Sequence, residues 1–579
     1  MRENPRMSSP KAEKSKRVES ANKNALHSVR SKLGILLQSR SGILVLLVFA
    51  AMATRLAPLA ISPYPFNNDS MTEATVAGDI MESGHFEYPS GRYYLETHGV
   101  VTPVYNLVIA FSCSVLGFSP LDFIQYLVAI LAVITVVGGY CLGMRVAWNV
   151  SGGIVAAVFL LLFGTFVFVT ESGWKESLGI AMFVLFVYSY INRSERRFFV
   201  LEVMILLLIP FVHHLVAAVV YLLTWYLTVW SIFSGLANLN LRKRHLMDAA
   251  LISVASVLAY AYYRISSLDR LIEIEKGMTA IALILSFVAV SAVTILVLRM
   301  RRHSKLTFAP IPALALFGLL VWDYFNPLFP YVPSAPILIV VLIASVCVLV
   351  GLAWYGLEIM LESKSKYRVI PLGLMLPFLT LAMFTIMQGM DFGGQQVLYR
   401  TFDYADFAIA LGLAVASVHL LKNASRRTVK VFHAGLLVAL LLTLPFAYST
   451  GSLTGVRHDT QTYEVDALDW IDRLSQEDSL LQSDERLSYV AMALYDFEKM
   501  PWLPRRLMED GIVGEGAFYV LEEEWMSKGV NAFPEGYKII DQDKADLHLT
   551  YSDVLYVGGP SSNNIVVFWA TTIGQGQIR

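Results

Sequence analysis

Residues 43–83 read ILVLLVFAAMATRLAPLAISPYPFNNDSMTEATVAGDIMES. The first half, Ile43 to Ile61, is an apolar run long enough to cross the roughly 30 Å hydrocarbon core of a bilayer as one helix. The second half turns polar at once and gathers acids, so a membrane-crossing element hands over directly to a water-facing segment. About forty polar residues precede the run, where a cleaved signal peptide would set its apolar core near the start, and the run therefore reads as an uncleaved anchor.

Apolar stretches of similar length recur near 122–141, 152–170, 178–192, 198–213, 214–232, 249–265, 279–298, 308–328, 335–357, 369–389, 401–421 and 431–449, which with the first gives about thirteen spans. Composition agrees: 56% of the 579 residues are hydrophobic and only 16% charged, against about 25% charged in soluble chains. The excess apolar surface must face lipid. The net charge of −1 says nothing by itself, whereas its distribution along the chain does; no nucleic-acid partner is expected. Cys113, Cys141 and Cys347 all lie inside apolar stretches, where a thiol behaves as a small hydrophobe and implies no disulfide framework.

Charge placement orients the bundle. Residues 1–40 hold ten Lys/Arg against Glu3, Glu13 and Glu19, a basic arm that reads as disordered to about residue 42. Further basic clusters stand at Arg145, Arg193/Arg196/Arg197, Arg242/Lys243/Arg244, Arg299/Arg301/Arg302/Lys305, Lys364/Lys366/Arg368 and Lys422/Arg426/Arg427/Lys430. All fall on the cytoplasmic side only if the N-terminus is inside and the number of spans is odd. Val101 to Gly117 is long enough to span, but counting it would put those clusters outside. It reads instead as an interfacial or re-entrant helix of the external loop 62–121. Residues 451–579 reverse the bias, with twenty-two Asp/Glu against ten Lys/Arg. An amphipathic start (TYEVDALDWIDRL) and strand-like runs (YSDVLYVGG, NNIVVFWA) make 450–579 a small α+β domain, expected on the extracytoplasmic face of a plasma-membrane protein.

Four constellations carry candidate chemistry. Asp69, flanked by Asn67, Asn68 and Ser70, stands where the chain leaves the membrane and suits a general base or a divalent-cation ligand, although Asp and Ser also cap helices. The short loop Thr170-Glu171-Ser172-Gly173-Trp174-Lys175-Glu176-Ser177 holds two carboxylates and a Lys at membrane depth, costly unless they face a polar cavity. Arg400, in Gln395-Gln396-Val397-Leu398-Tyr399-Arg400-Thr401-Phe402-Asp403, offers a fork suited to phosphate oxygens, with Asp403 one turn away as a structural partner. His213 and His214 sit at a tight turn between spans and, as neighbours on a helix, are not expected to point the same way. Asp323, among interfacial aromatics, ranks below Asp69 and Glu176.

The order of these features resembles the GT-C superfamily of polytopic glycosyltransferases, most closely the catalytic subunits of oligosaccharyltransferases. Asp69 after the first span, the helix Thr72 to Ser83, Tyr88-Pro89-Ser90-Gly91-Arg92, and the half-buried stretch Val101 to Gly117 follow that family's sequence of elements. The resemblance implies a polyprenyl-phosphate-linked sugar donor, with transfer to a protein, glycan or lipid acceptor on the extracytoplasmic face. It gives Asp69 and Glu176 catalytic and metal-binding roles, Arg400 the donor phosphate, and Glu171 and Arg92 places in the substrate site, where Lys175, which departs from the family pattern, and His213 and His214, by their position at the turn, are further candidates. Lys175 stands where the family has an Asn in its acidic loop, so the cation is either Mg²⁺ or Mn²⁺ or is replaced in part by the Lys. The family's Trp-Trp-Asp-x-Gly motif is missing, which ranks monosaccharide transfer above oligosaccharyl transfer to Asn. A transporter or flippase of lipid-linked solutes, or a non-catalytic glycan-binding member, is the rival reading. The orientation is checked by introduced cysteines: Ser90→Cys is expected to label from outside intact cells, and Ser425→Cys only after permeabilisation. Labelling of the latter in intact cells would invert the topology.

Overall fold

The computed structural model describes residues 39–85, 102–237, 243–265, 276–303, 310–325, 336–363, 367, 369–388, 392–448, 457–475, 479–495, 497, 503–508, 517–531, 537–550, 552–561 and 563–570. Each of the thirteen apolar segments forms a helix. Eight helices among the described residues are long and apolar enough to cross a membrane, or nine when Val150–Leu162 and Gly164–Glu171 are taken as one broken span. The expected thirteen include four further segments whose described helices do not reach that length and hydropathy. Arg196–Leu208, for example, has 13 residues, or about 20 Å at 1.5 Å per residue. The chain is a multi-pass membrane protein.

Local signals start and stop these helices. Ser39 accepts from the Gly42 amide to open Arg40–Leu56, and Pro58 ends it in a 3₁₀ turn. Ser119 caps Pro120–Ala147 by accepting from the Asp122 amide. The Arg400–Asn423 span is 83% buried, against 28% for Arg40–Ala60, so it forms the axis around which the others pack. Its approach to Pro336–Glu362 is backbone to backbone: a Cβ on Gly356 would lie 1.8 Å from the Gly412 carbonyl oxygen. Small residues permit such close crossings where lipid offers no hydrophobic drive between helices. The helix Val104–Leu116 has 13 residues, too few to cross. It buries Tyr105, Asn106, Ile109, Ala110 and Cys113 against protein while Phe111, Val115 and Leu116 stay exposed.

The Val150–Leu162 helix stops at Phe163, and the chain bends by 67° into Gly164–Glu171. Arg55, fully buried, reaches across this break. Its guanidinium donates to the carbonyls of Leu160 at 2.8 Å and Leu161 at 3.4 Å, and to Thr170 Oγ1 at 2.8 Å. Thr443 Oγ1 accepts from the Gly164 amide at 2.9 Å on the other side.

The C-terminal region is α+β. Its four-stranded sheet runs in the order β1 (Leu480–Gln482), β2 (Ala517–Glu522), β6 (Ile565–Ala570), β5 (Ser552–Gly558), with β1 parallel to β2 and the other pairs antiparallel. A separate ribbon pairs β3 (Val530–Asn531) with β4 (Tyr537–Lys538). The core of this domain includes Met71, because the Glu485–Tyr495 helix lies on the Asn68–Ser83 helix. At its heart Glu464, fully buried, accepts from Arg457 at 2.6 Å and Arg486 at 2.7 Å, and Arg486 donates to Glu522 at 3.0 Å.

Burial alone would push the Glu464 carboxyl up, but Arg486 and Arg457 pull it down to about 2. A lowered carboxyl contributes stability above its ordinary value of about 4.3 that is lost as the pH falls through the folded value. The domain is therefore expected to weaken between about pH 4.3 and 2. Glu464→Gln is expected to flatten that slope and to cost about 3–5 kcal/mol at neutral pH, as breaking a buried ion pair does. Tryptophan fluorescence of the detergent-solubilised protein against pH checks both.

Candidate active site

The site is built on a strained turn. Asn67 has φ +76° and ψ 139°, a region that residues with a Cβ seldom occupy. Its side chain accepts from the Asp69 amide at 3.0 Å, which starts the Asn68–Ser83 helix and places Asp69, half-buried, in its first turn. Ser70 Oγ donates to the Phe66 carbonyl at 2.6 Å and accepts from the Gly173 amide at 2.9 Å. A Cβ on Gly173 would stand 2.5 Å from that hydroxyl, so glycine lets the 170–177 loop lie directly on the turn before Asp69.

This contact brings Asp69, Lys175 and Glu176 together, and Arg400 lies beside Trp174 of the same loop. Glu73 follows Asp69 by four residues and shares its helix face. Lys175 Nζ lies 3.3 Å from Glu73 Oε1. Asn106, fully buried, donates to Glu73 Oε2 and, at 3.2 Å, to the Glu73 carbonyl. Glu176 is fully buried and accepts from the Tyr404 hydroxyl at 3.1 Å through Oε1, while Oε2 has no hydrogen-bond partner among the described residues. Arg400 and Asp69 both act electrostatically on Glu176. The Arg400 guanidinium lies 5.1 Å from the centre of the Trp174 ring, a cation–π distance, and its buried Nε has no hydrogen-bond partner among the described residues. Asp403 and Asp406, on the same helix, are also buried.

Other candidates fall elsewhere. Glu171 is fully buried, and neither carboxylate oxygen has a hydrogen-bond partner among the described residues. Its electrostatic partner is Arg55, so it belongs to the helix break rather than to the Glu73–Lys175 group. His213 and His214 correct the expectation that neighbours diverge: their rings stack at 4.8 Å and 14°. The reason is that His213 precedes the His214–Ala237 helix, so helical spacing does not govern its direction. They stand at the helix end whose Val216 packs on Gly179 of the Lys175–Asn192 helix. Arg92 lies outside the described residues, as does the Asp323 side chain. Among the described residues no group of three or more His, Cys, Asp or Glu is arranged to hold a metal ion, and the Lys175 ammonium lies against Glu73 of the Asn68–Ser83 helix.

Sequence reasoning missed Arg55, Asn106 and His458. The first left a signal, since a lone charge in a membrane-spanning run marks a functional or structural demand. The other two are defined by contacts with distant segments: His458 accepts the Asn67 amide through its carbonyl at 3.0 Å.

No protein-family model matches the chain, and no curated protein does. Among solved structures, the chain is similar to ArnT from Cupriavidus metallidurans bound to undecaprenyl phosphate, at 13% identity and a TM-score of 0.40, over 92% of this chain and 98% of that one. The apo form of the same protein gives 13% and 0.38 over 91% and 98%. The arabinofuranosyltransferase AftD from Mycobacteria gives 13% and 0.44 over 91% of this chain, which spans only 40% of the AftD chain.

Proposed function

We propose that the chain is a GT-C-type glycosyltransferase that moves a sugar from a polyprenyl-phosphate-linked donor to a hydroxyl or amide acceptor at the end of the bundle carrying the C-terminal domain. The observation that carries this reading is the Arg400 guanidinium, set against Trp174 with a buried Nε that lacks a hydrogen-bond partner among the described residues, one helical turn before the Tyr404 whose hydroxyl donates to Glu176. A fixed cation and a half-exposed carboxylate at one membrane surface suit an anionic leaving group and a proton-bearing nucleophile. In the reaction the acceptor oxygen or nitrogen attacks the anomeric carbon, the bond from that carbon to the phosphate oxygen breaks, and the acceptor proton passes to Asp69. Arg400 stabilises the charge that gathers on the departing polyprenyl phosphate. Glu176 and Tyr404 hold the helix start and Arg400 in place from behind. Lys175, paired with Glu73, supplies the positive charge that a divalent ion would bring, and the transfer runs without a metal.

A second reading has one observation in its favour. The span broken at Phe163, with Arg55 and Glu171 buried beside the break, has the form of the discontinuous helices that line transporter sites. Transfer and transport are separated by assaying the purified protein in detergent, where only a transferase gives product.

With a polyprenyl-phosphate sugar as donor, Asp69→Asn is expected to lower turnover by about 10² to 10⁴ while donor binding persists, the usual cost of losing a positioned base. Arg400→Ala is expected to weaken donor binding first. Activity is expected to survive strong chelation. Full turnover by purified Asp69→Asn protein would remove the catalytic assignment, and activity that vanishes with chelator and returns with Mg²⁺ or Mn²⁺ would overturn the role given to Lys175.

A further inference from the structure

The segment that enters the C-terminal domain runs alongside the segment that leads to Asp69. Ser62 Oγ donates to the Thr460 carbonyl at 2.7 Å, and the Asn67 amide donates to the His458 carbonyl at 3.0 Å. The His458 ring packs edge-on to Phe168 at 4.9 Å and lies 6.5 Å from Phe66, with Nδ1 3.5 Å from Asn67 Nδ2. Burial pushes His458 down to about 4, so at neutral pH the ring is uncharged, and in the tautomer protonated at Nε2 its Nδ1 accepts from the amide nitrogen of Asn67. Arg457 next to it is tied into the domain through Glu464 at 2.6 Å and the Tyr463 hydroxyl at 2.8 Å. Asn67 is therefore gripped on both sides of its side chain: the carbonyl oxygen caps Asp69, and the amide nitrogen faces His458. That grip accounts for a non-glycine residue held at φ +76°, since such a conformation persists only when its surroundings over-determine it.

We propose that His458 is a positioning residue, through which the C-terminal domain fixes the Asn67 turn and thereby the placement of the Asp69 carboxylate. The inference rests on the transfer reaction proposed above. It assigns the domain a task in the chemistry of a site formed by the membrane helices, with no acceptor contact required.

The test is a mutant cycle on the full-length protein. His458→Phe keeps the aromatic packing and the backbone carbonyl but removes Nδ1. It is expected to lower kcat by about tenfold to a hundredfold with donor KM within about twofold, because misplacing a reacting group by an ångström costs on that order. His458→Asn, which retains an acceptor, is expected to recover most of the loss. Asn67→Gly is expected to lower kcat similarly, with His458→Phe adding little in that background, as coupled neighbours behave. Unchanged kcat in His458→Phe, equal losses in His458→Phe and His458→Asn, or additive losses in the double variant would each overturn the proposal. If the unaltered protein transfers no sugar, the proposed reaction fails instead. The positioning claim is then read from the thiol reactivity of Asp69→Cys, which is expected to change when His458→Phe is added and refutes the claim if it does not.

Discussion

A polypeptide that bends inside a membrane exposes carbonyl and amide groups to a medium that cannot hydrate them, at several kcal/mol for each group left unsatisfied. The break at Phe163 creates that demand, and Arg55 and Thr443 answer it from two other helices, giving donors to Leu160 and Leu161 and an acceptor to Gly164. The guanidinium is in turn satisfied by Thr170. With those partners the 67° bend is a fixed corner. It turns the chain so that Ser172 to Glu176 cross onto Phe66 to Ser70, and the rest of the candidate site is hung from that crossing.

Much of this was legible in the sequence for a physical reason: lipid imposes a length and a polarity on each crossing segment, and both are local properties. Asp69, Lys175, Glu176 and Arg400 stood out because charge at the edge of an apolar run is expensive wherever it occurs. What escaped was partnership. Lys175 stands in a loop with two acids of its own, but its ammonium rests on Glu73, about a hundred residues earlier in the chain. Glu171 and Glu176 looked alike in sequence, yet the helix break gives one to Arg55 and the start of the next helix gives the other to Tyr404. The stacking of His213 on His214 depended on which of the two begins a helix. In each case the deciding contact joins segments whose relation no local pattern encodes.

The site also gathers charges that would repel or be screened in water. In a water-poor setting the attraction between Lys175 and Glu73 is stronger and so is the cost of leaving either alone, which ties their side chains to one geometry. Asn106 adds a neutral donor to the same carboxylate from a helix too short to cross the bilayer. Glu73, Lys175 and Asn106 thus have partners before any substrate arrives. Preorganised groups of that kind spend no reorganisation energy when charge develops in a reaction.

The pairing of Ser62 and Asn67 with Thr460 and His458 joins residues 398 and 391 positions apart. On a ribosome adding about 5–20 residues per second, the later partner emerges roughly 20–80 s after the earlier one. During that interval the first membrane helices are already inserted while the Asn67 turn lacks the carbonyl and ring that hold it. The growing chain thus carries Asp69 in an unassembled state through that interval, and the carboxylate takes up its final setting only after the segment around His458 has been made.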